Sequence, residues 1–264
     1  MKYKLVAVDI DGTLLNDEGI MTQKTIDSIK KAVKKGILFV LCTGRPIQGV
    51  KNYYEILDLD SPIITYNGAM VVMSKSKEIL YEQTLSVNGA RNILNLGKKL
   101  KTNMIVWSNN QLYVYEVNEK INEYKKISNI EPILIDQDEK KIIQQGITKI
   151  IWHDNIDKIN SYLHILENEK EKEFSYYTSR PIFLEFVNNN ISKAFAMEKI
   201  GECFQIKQEE MIAIGDGFND LPMIEWAGMG VAMGNAPIEI KEKADYITLS
   251  NEEDGVAYVL DKFI

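Results

Sequence analysis

Short apolar runs alternate with segments of helical period along the first third of the chain. The runs are "KLVAVD" at 4–9, "ILFVLCTG" at 37–44 and "PIITYNGA" at 62–69. Between the first two, Ile26, Ile29 and Val33 recur at helical spacing, with Thr22 as N-cap and Gly36 as stop, which predicts a helix over 22–35. The same alternation returns near the end. "MIAIGD" (211–216), "GVAM" (230–233) and "DYITL" read as strands, separated by helices from about Asn219 to Ala227 and from about Pro237 to Lys243. Strands joined by helices imply a parallel sheet with right-handed crossovers, so both ends of the chain are expected in one doubly wound α/β fold.

Between the two ends the pattern changes. "MIVWS" and "QLYVYEV" face each other across a short polar turn and predict a hairpin. Helical stretches follow at 119–129, 138–145 and 155–172, with "PILID", "TKIIWHD" and the pair "EFSYYTS" and "IFLEFV" as further strands. This is the expectation for an inserted α+β domain with its own antiparallel sheet. The predicted division is a core of residues 1–84 and 188–264 and an insert of 85–187, placed as a cap on the core.

Composition narrows the class. With 264 residues, 45% of them hydrophobic, the chain can bury a substantial core. Its net charge of −7 disfavours nucleic acid as a partner. Cys42 and Cys203 form neither a disulfide framework nor a metal-ligand spacing, which fits a reducing compartment, and cytoplasm is the expected location. No membrane-length apolar window and no cleavable leader pattern occurs, so no membrane partner is expected.

Open parallel sheets bind ligands beyond the carboxyl ends of their strands. At those ends stand Asp9 and Asp11, then Thr43, Gly44 and Arg45, then Asn67 and Gly68, and finally Asp216, Asn219 and Asp220. Taken alone, "DIDGT" is equally compatible with a solvated turn and with a metal or phosphoryl site. Four such strand ends together favour a site. Asp9, Asp11 and Asp216 could meet around one hard cation, for which Mg²⁺ suits one or two carboxylates. Glycines at 12, 44, 215 and 217 permit close approach of backbone N–H groups to a phosphate, and Thr43 adds a hydroxyl donor.

The ordered set "DIDGTLL", "TGR", "NGA", "GDGFND" and "AMGNA" resembles the haloacid dehalogenase superfamily, in its Cof-type (class IIB) branch with a C2-type cap. The resemblance covers the core at both ends of the chain. It implies that Asp9 attacks phosphorus to give an aspartyl phosphate and that Asp11 protonates the leaving oxygen and then activates water. It further implies Mg²⁺ held by Asp9, the Asp11 backbone carbonyl and Asp216. Lys193 is the matching phosphate-binding lysine, although Ala194 follows it where many relatives have glycine. Phosphate is expected to meet the Ile10 amide, Thr43, the Gly44 amide and Asn219. Asp220 is expected either to reach the metal through water or to orient Lys193, and Arg45 and Asn67 stand as residues near the substrate.

The expected function is therefore a Mg²⁺-dependent phosphatase of a small phosphorylated metabolite, such as a sugar phosphate. A phosphomutase using the same intermediate and a non-catalytic phosphometabolite-binding regulator are the alternatives. Dehalogenation is disfavoured because a departing halide needs no proton from Asp11. His153 and His164 lack ligand spacing. Cys42 is expected to pack beneath Thr43. Trp107, Tyr113, Tyr115, Tyr176 and Tyr177 read as packing residues of the insert, and "EKEKE" at 169–173 reads as a solvated helix face.

Overall fold

The computed structural model describes residues 2–128, 130–136, 138–167 and 173–264. In chain order its regular elements begin with β1 (Leu5–Asp9), α1 (Gln23–Lys34), β2 (Leu38–Cys42), α2 (Lys51–Leu57), β3 (Pro62–Thr65), β4 (Met70–Met73) and β5 (Ile79–Glu82). There follow α3 (Val87–Leu100), β6 (Asn103–Ser108), β7 (Gln111–Val114), α4 (Glu119–Ser128), β8 (Ile133–Leu134), α5 (Glu139–Gln145), β9 (Lys149–His153), α6 (Ile156–Glu167), β10 (Ser175–Arg180) and β11 (Phe183–Val187). The chain ends with α7 (Lys193–Phe204), β12 (Met211–Gly215), α8 (Leu221–Trp226), β13 (Met229–Ala232), α9 (Ile238–Lys241), β14 (Tyr246–Ile247) and α10 (Gly255–Phe263). Two compact units result, Met1–Tyr81 with Ser192–Ile264, and Glu82–Ile191, against expected edges at 85 and 187.

The first unit is built on a sheet of order β14-β13-β12-β1-β2-β3-β4-β5. β1 lies between β12 and β2 and pairs in parallel with both, Leu5 opposite Met211 and Leu38. The period-2 pattern of β1 explains why helices cover both faces. Val6 and Val8 pack with Ile29 of α1, Leu57 of α2 and Val259 of α10. Leu5 and Ala7 point the other way, toward Ala196, Met197 and Ile200 of α7 and Met223 of α8. The helix at 22–35 forms because Thr22 caps it, accepting from the Thr25 amide at 3.2 Å.

The sheet is not parallel throughout. β4 runs antiparallel to β3, with Pro62 opposite Met73, because the tight turn Tyr66–Gly68 reverses the chain and ends β3 at Thr65. The apolar run "PIITYNGA" therefore contributes only four strand residues.

The second unit has a sheet of order β10-β11-β9-β6-β7-β8. β6 and β7 form the expected antiparallel hairpin, with Ser108 opposite Gln111. One face carries the core of this unit, in which Trp152, Phe186 and Val106 meet Ile93 and Leu94 of α3 and Tyr162 of α6. The expectation of an antiparallel sheet needs one correction, since β8 joins β7 in parallel, Tyr113 opposite Ile133. Helix α4 lies between them in the chain and supplies the crossover that a parallel pair requires. α6 is described to Glu167, and the remainder of the expected helix to 172, with most of the 169–173 charge run, lies outside the described residues.

Candidate active site

Asp9 closes β1, and the chain order of the sheet reverses beside it. β2 and β3 extend one side, whereas β12, β13 and β14 extend the other. Such a switch point opens a crevice at the strands' carboxyl ends. After Asp9 the backbone turns through Ile10–Leu14, with Gly12 at φ 85. Glycine is required there. A Cβ at Gly12 would lie 2.5 Å from Asp216 Oδ2, so only a residue without one lets this turn approach the end of β12. Thr13 Oγ1 donates to Asp216 Oδ1 at 2.7 Å, and Asn235 Nδ2 donates to the Gly12 carbonyl at 2.8 Å.

Lys193 opens α7, whose N-cap Ser192 accepts from the Phe195 amide at 3.1 Å. Its side chain is fully buried, and its ammonium donates to Asp9 Oδ1 and Asp220 Oδ1. Burial alone would drive the proton off Lys193, but the Asp9 and Asp220 charges outweigh it and raise its pKa, so the group is an ammonium. The other Asp220 oxygen accepts from the amides of Asp216 at 3.1 Å and Gly217 at 2.9 Å. Asp220 thus fastens Lys193 to the loop that carries Asp216.

Asp9, Asp216 and Asp220 each offer an oxygen within 4.8 Å of the others. Burial pushes the Asp9 carboxyl upward despite the pull of Lys193, and burial likewise raises Asp216. Both would ionise more readily beside a further cation. Both Asp220 oxygens already hold hydrogen bonds, which leaves Asp9 and Asp216 to meet it. Two carboxylates, with oxygen donors only, fit the preference of Mg²⁺. Charge points the same way. Four carboxylates, Asp9, Asp11, Asp216 and Asp220, are set against the two cations Lys193 and Arg45.

The Asp11 side chain stands outside this cluster. It is half-exposed and held by the Arg45 guanidinium, Nε to Oδ2 at 2.9 Å with a second contact from the terminal nitrogen to Oδ1. Arg45 also donates to the Gly49 carbonyl at 3.3 Å. Thr43, buried at the end of β2, accepts from the Arg45 amide at 3.0 Å, which curls the Thr43–Arg45 loop. Ile10 is buried next to Asp9. Asn219 Nδ2 donates to Asn67 Oδ1 at 3.2 Å, and the Asn67 side chain lies against Gly44.

The structure therefore gathers Asp9, Lys193, Asp216 and Asp220 into one cluster, and draws Asn67, Gly44 and Asn219 into another. Thr13 and Asn235, which lie within "DIDGTLL" and "AMGNA" without a role of their own in the sequence analysis, hold Asp216 and the Gly12 turn. Cys42 is buried, and burial pushes its thiol far above the ordinary range, so it is inert packing. His153 is buried in the second unit, its Nε2 3.4 Å from Glu123, while His164 is exposed. Trp107 donates to Tyr124 Oη at 3.1 Å within that unit. No helix among the described residues is long and apolar enough to cross a membrane.

Comparison with known proteins shows the family. The profile of the haloacid dehalogenase-like hydrolases matches residues 6–260. YxeH of Bacillus subtilis (strain 168), a phosphatase by name, is 35% identical over 271 residues, covering 99% of this chain and 98% of its own. The crystal structure of TM0651 from Thermotoga maritima superposes with a TM-score of 0.89 at 29% identity, over 99% of this chain and 98% of that one. The subclass IIB sugar phosphatase BT4131 superposes with a TM-score of 0.79 at 25% identity, over 98% of each chain.

Proposed function

Because the chain belongs to the haloacid dehalogenase-like hydrolases, as a phosphatase of their Cof-type subclass IIB branch, we propose that it hydrolyses a small sugar phosphate or similar monoester through an aspartyl phosphate, with Mg²⁺ bound. The observation that carries this reading is the placement of Lys193. Its ammonium lies on Asp9 Oδ1 at the end of the central strand, where it can hold a phosphoryl oxygen beside the nucleophile.

In the proposed reaction the Asp9 carboxylate forms a bond to phosphorus as the bond to the leaving oxygen breaks, and Asp11 gives that oxygen its proton. Asp11 then takes a proton from water, the water oxygen bonds to phosphorus, and the Asp9–phosphate bond breaks to release inorganic phosphate. Asp9 and Asp216, with the Asp11 carbonyl, would hold Mg²⁺, which supplies charge neutralisation at the phosphoryl oxygens. Lys193, Thr43, the Ile10 and Gly44 amides and Asn219 are assigned to the phosphate. The leaving group is assigned to residues 85–187, the proposed cap, because the core motif residues are assigned to phosphate, metal and proton transfer, with only Arg45 and Asn67 left beside them.

The test is phosphate release across a panel of phosphorylated metabolites, with Mg²⁺ and with chelator. Turnover that requires Mg²⁺ and ranks sugar phosphates first supports the proposal. Turnover undiminished by chelator overturns the metal, and the absence of any released phosphate overturns the whole reading.

A further inference from the structure

Three consecutive residues, Tyr66, Asn67 and Gly68, have left-handed backbones, with φ 52, 56 and 104. For a buried aromatic residue this conformation is an outlier that the surroundings must hold in place. The contacts of this turn show what it fastens. The Tyr66 amide donates to the Arg45 carbonyl at 3.2 Å and the Asn67 amide donates to the Thr43 carbonyl at 2.9 Å, so the turn grips both ends of the Thr43–Arg45 loop. The Asn67 carboxamide packs on Gly44 so closely that a Cβ there would lie 3.0 Å from Oδ1. The same Oδ1 accepts from Asn219 Nδ2 at 3.2 Å. Gly68 abuts the start of α7, where a Cβ would lie 2.1 Å from the Ser192 carbonyl oxygen and 3.0 Å from the Lys193 nitrogen.

Gly44 follows β2, Asn219 follows β12 and Lys193 opens α7, and all three meet this one turn. We infer that Asn67 is a positioning residue for the phosphate site, whose carboxamide sets the orientation of Asn219 against Gly44. It need not touch phosphate itself. The inference rests on the phosphatase reading above and goes beyond it, because it assigns the alignment of the phosphate-binding groups to a residue outside the reacting set.

The test uses the full chain in Mg²⁺ with orthovanadate as probe. Binding is measured by calorimetry, so that no turnover is needed, and p-nitrophenyl phosphate hydrolysis is measured in parallel. Asn67→Gly keeps a residue suited to the left-handed turn and removes the carboxamide. We expect it to weaken vanadate binding about tenfold, as Asn219→Ala does, the scale of one lost hydrogen-bonding group. The double variant is expected to fall within about twofold of Asn219→Ala alone, since the second residue acts through the first. Losses that multiply to about a hundredfold, or vanadate binding unchanged in Asn67→Gly, would overturn the inference.

If Asn67→Gly melts early, Asn67→Asp retains the shape and the acceptor for Asn219. Asn219→Ala should then cost the same factor with or without Asn67→Asp, and a vanished cost overturns the inference. Vanadate binding without hydrolysis by the wild-type protein would sink the phosphatase reading alone, while failure to bind vanadate at all would sink both.

Discussion

Arg45 grips Asp11 with two nitrogens, 34 residues away in the chain, and the side chain of this second acid of "DIDGT" stands outside the cluster of the first. A forked guanidinium fixes both the position and the plane of a carboxylate. If Asp11 is the general acid, Arg45 decides where that acid waits. Arg45→Ala is expected to slow hydrolysis of an alkyl phosphate about tenfold more than that of p-nitrophenyl phosphate, because only the poor leaving group depends on well-aligned protonation. Steady-state rates on the two esters check this, and equal losses would detach Arg45 from the acid.

Asp9→Asn should keep the fold, since the carboxamide has the same shape at the end of β1 and Lys193 retains Asp220. Turnover is expected to fall by at least about a thousandfold, on the scale seen when a covalent nucleophile is removed. Phosphate-release rates with a thermal melt of the variant distinguish lost chemistry from lost structure.

Removing Lys193 strands two buried carboxylates. Lys193→Met should cost about 3–5 kcal/mol in chelator, the usual penalty for breaking one side of a buried ion pair. Mg²⁺ binds the native cluster in the proposed mechanism, so it should raise the melting temperature of the wild-type protein and recover part of the loss in the variant. Asp216→Asn should abolish the Mg²⁺-dependent rise. Melting curves in chelator and in Mg²⁺ carry the measurement, and identical curves would exclude the cation from this cluster.

Gly12→Ala places a Cβ where the Asp216 carboxylate now lies, on a backbone at φ 85 that alanine adopts poorly. The expected result is a higher Mg²⁺ concentration for half-maximal activity, by about tenfold or more, with a lowered melting temperature from strain of about 1–2 kcal/mol. A Mg²⁺ titration of phosphate release checks it. An unchanged midpoint would show that Asp216 does not ligate.

How much of this was legible beforehand depended on whether local signals agreed with packing. β1 and α1 were readable because an apolar run ending in Asp9, and a periodic segment between Thr22 and Gly36, say the same thing as the tertiary structure. α3 was not. Its sequence contains Gly89 and Gly97, poor helix formers, and the reason appears only in the packed unit, where a Cβ on Gly97 would lie 2.3 Å from Met104 Sδ. α10, "GVAYVLDKF", carried a legible signal, since Val256, Val259, Leu260 and Phe263 recur at helical spacing. In the site, residue types at strand ends marked Asp9 and Asp216, whereas Lys193 was marked only by the family resemblance. The pairing of Arg45 with Asp11 and the contact of Lys193 with Asp220 cross the fold, which no local pattern encodes, whereas the Asp216 and Gly217 amides that hold the other Asp220 oxygen lie within "GDGFND" itself.

The second unit offers a test independent of catalysis. Asp154 follows β9 and is buried among four donors, Lys120 Nζ at 2.6 Å, Tyr162 Oη at 3.0 Å, the Asn155 amide at 3.1 Å and Lys158 Nζ at 3.2 Å. Burial pushes its carboxyl upward, but the hydrogen bonds from Lys120, Tyr162 and Lys158 outweigh burial, and the pKa is lowered. A carboxyl depressed on folding stabilises the native state above its unfolded value, near 4, and that contribution is lost as pH falls through the folded value. Asp154→Asn should therefore cost about 1.5–3 kcal/mol at pH 7, the range for hydrogen bonds to a charged group. The penalty should shrink as acid protonates the wild-type carboxyl, because the two proteins then present similar neutral groups to Lys120. Urea denaturation of both proteins between neutral and acid pH measures the difference. A penalty that stays constant across that range would mean that shape at this position, and not the charge of Asp154, holds β9 to α4 and α6.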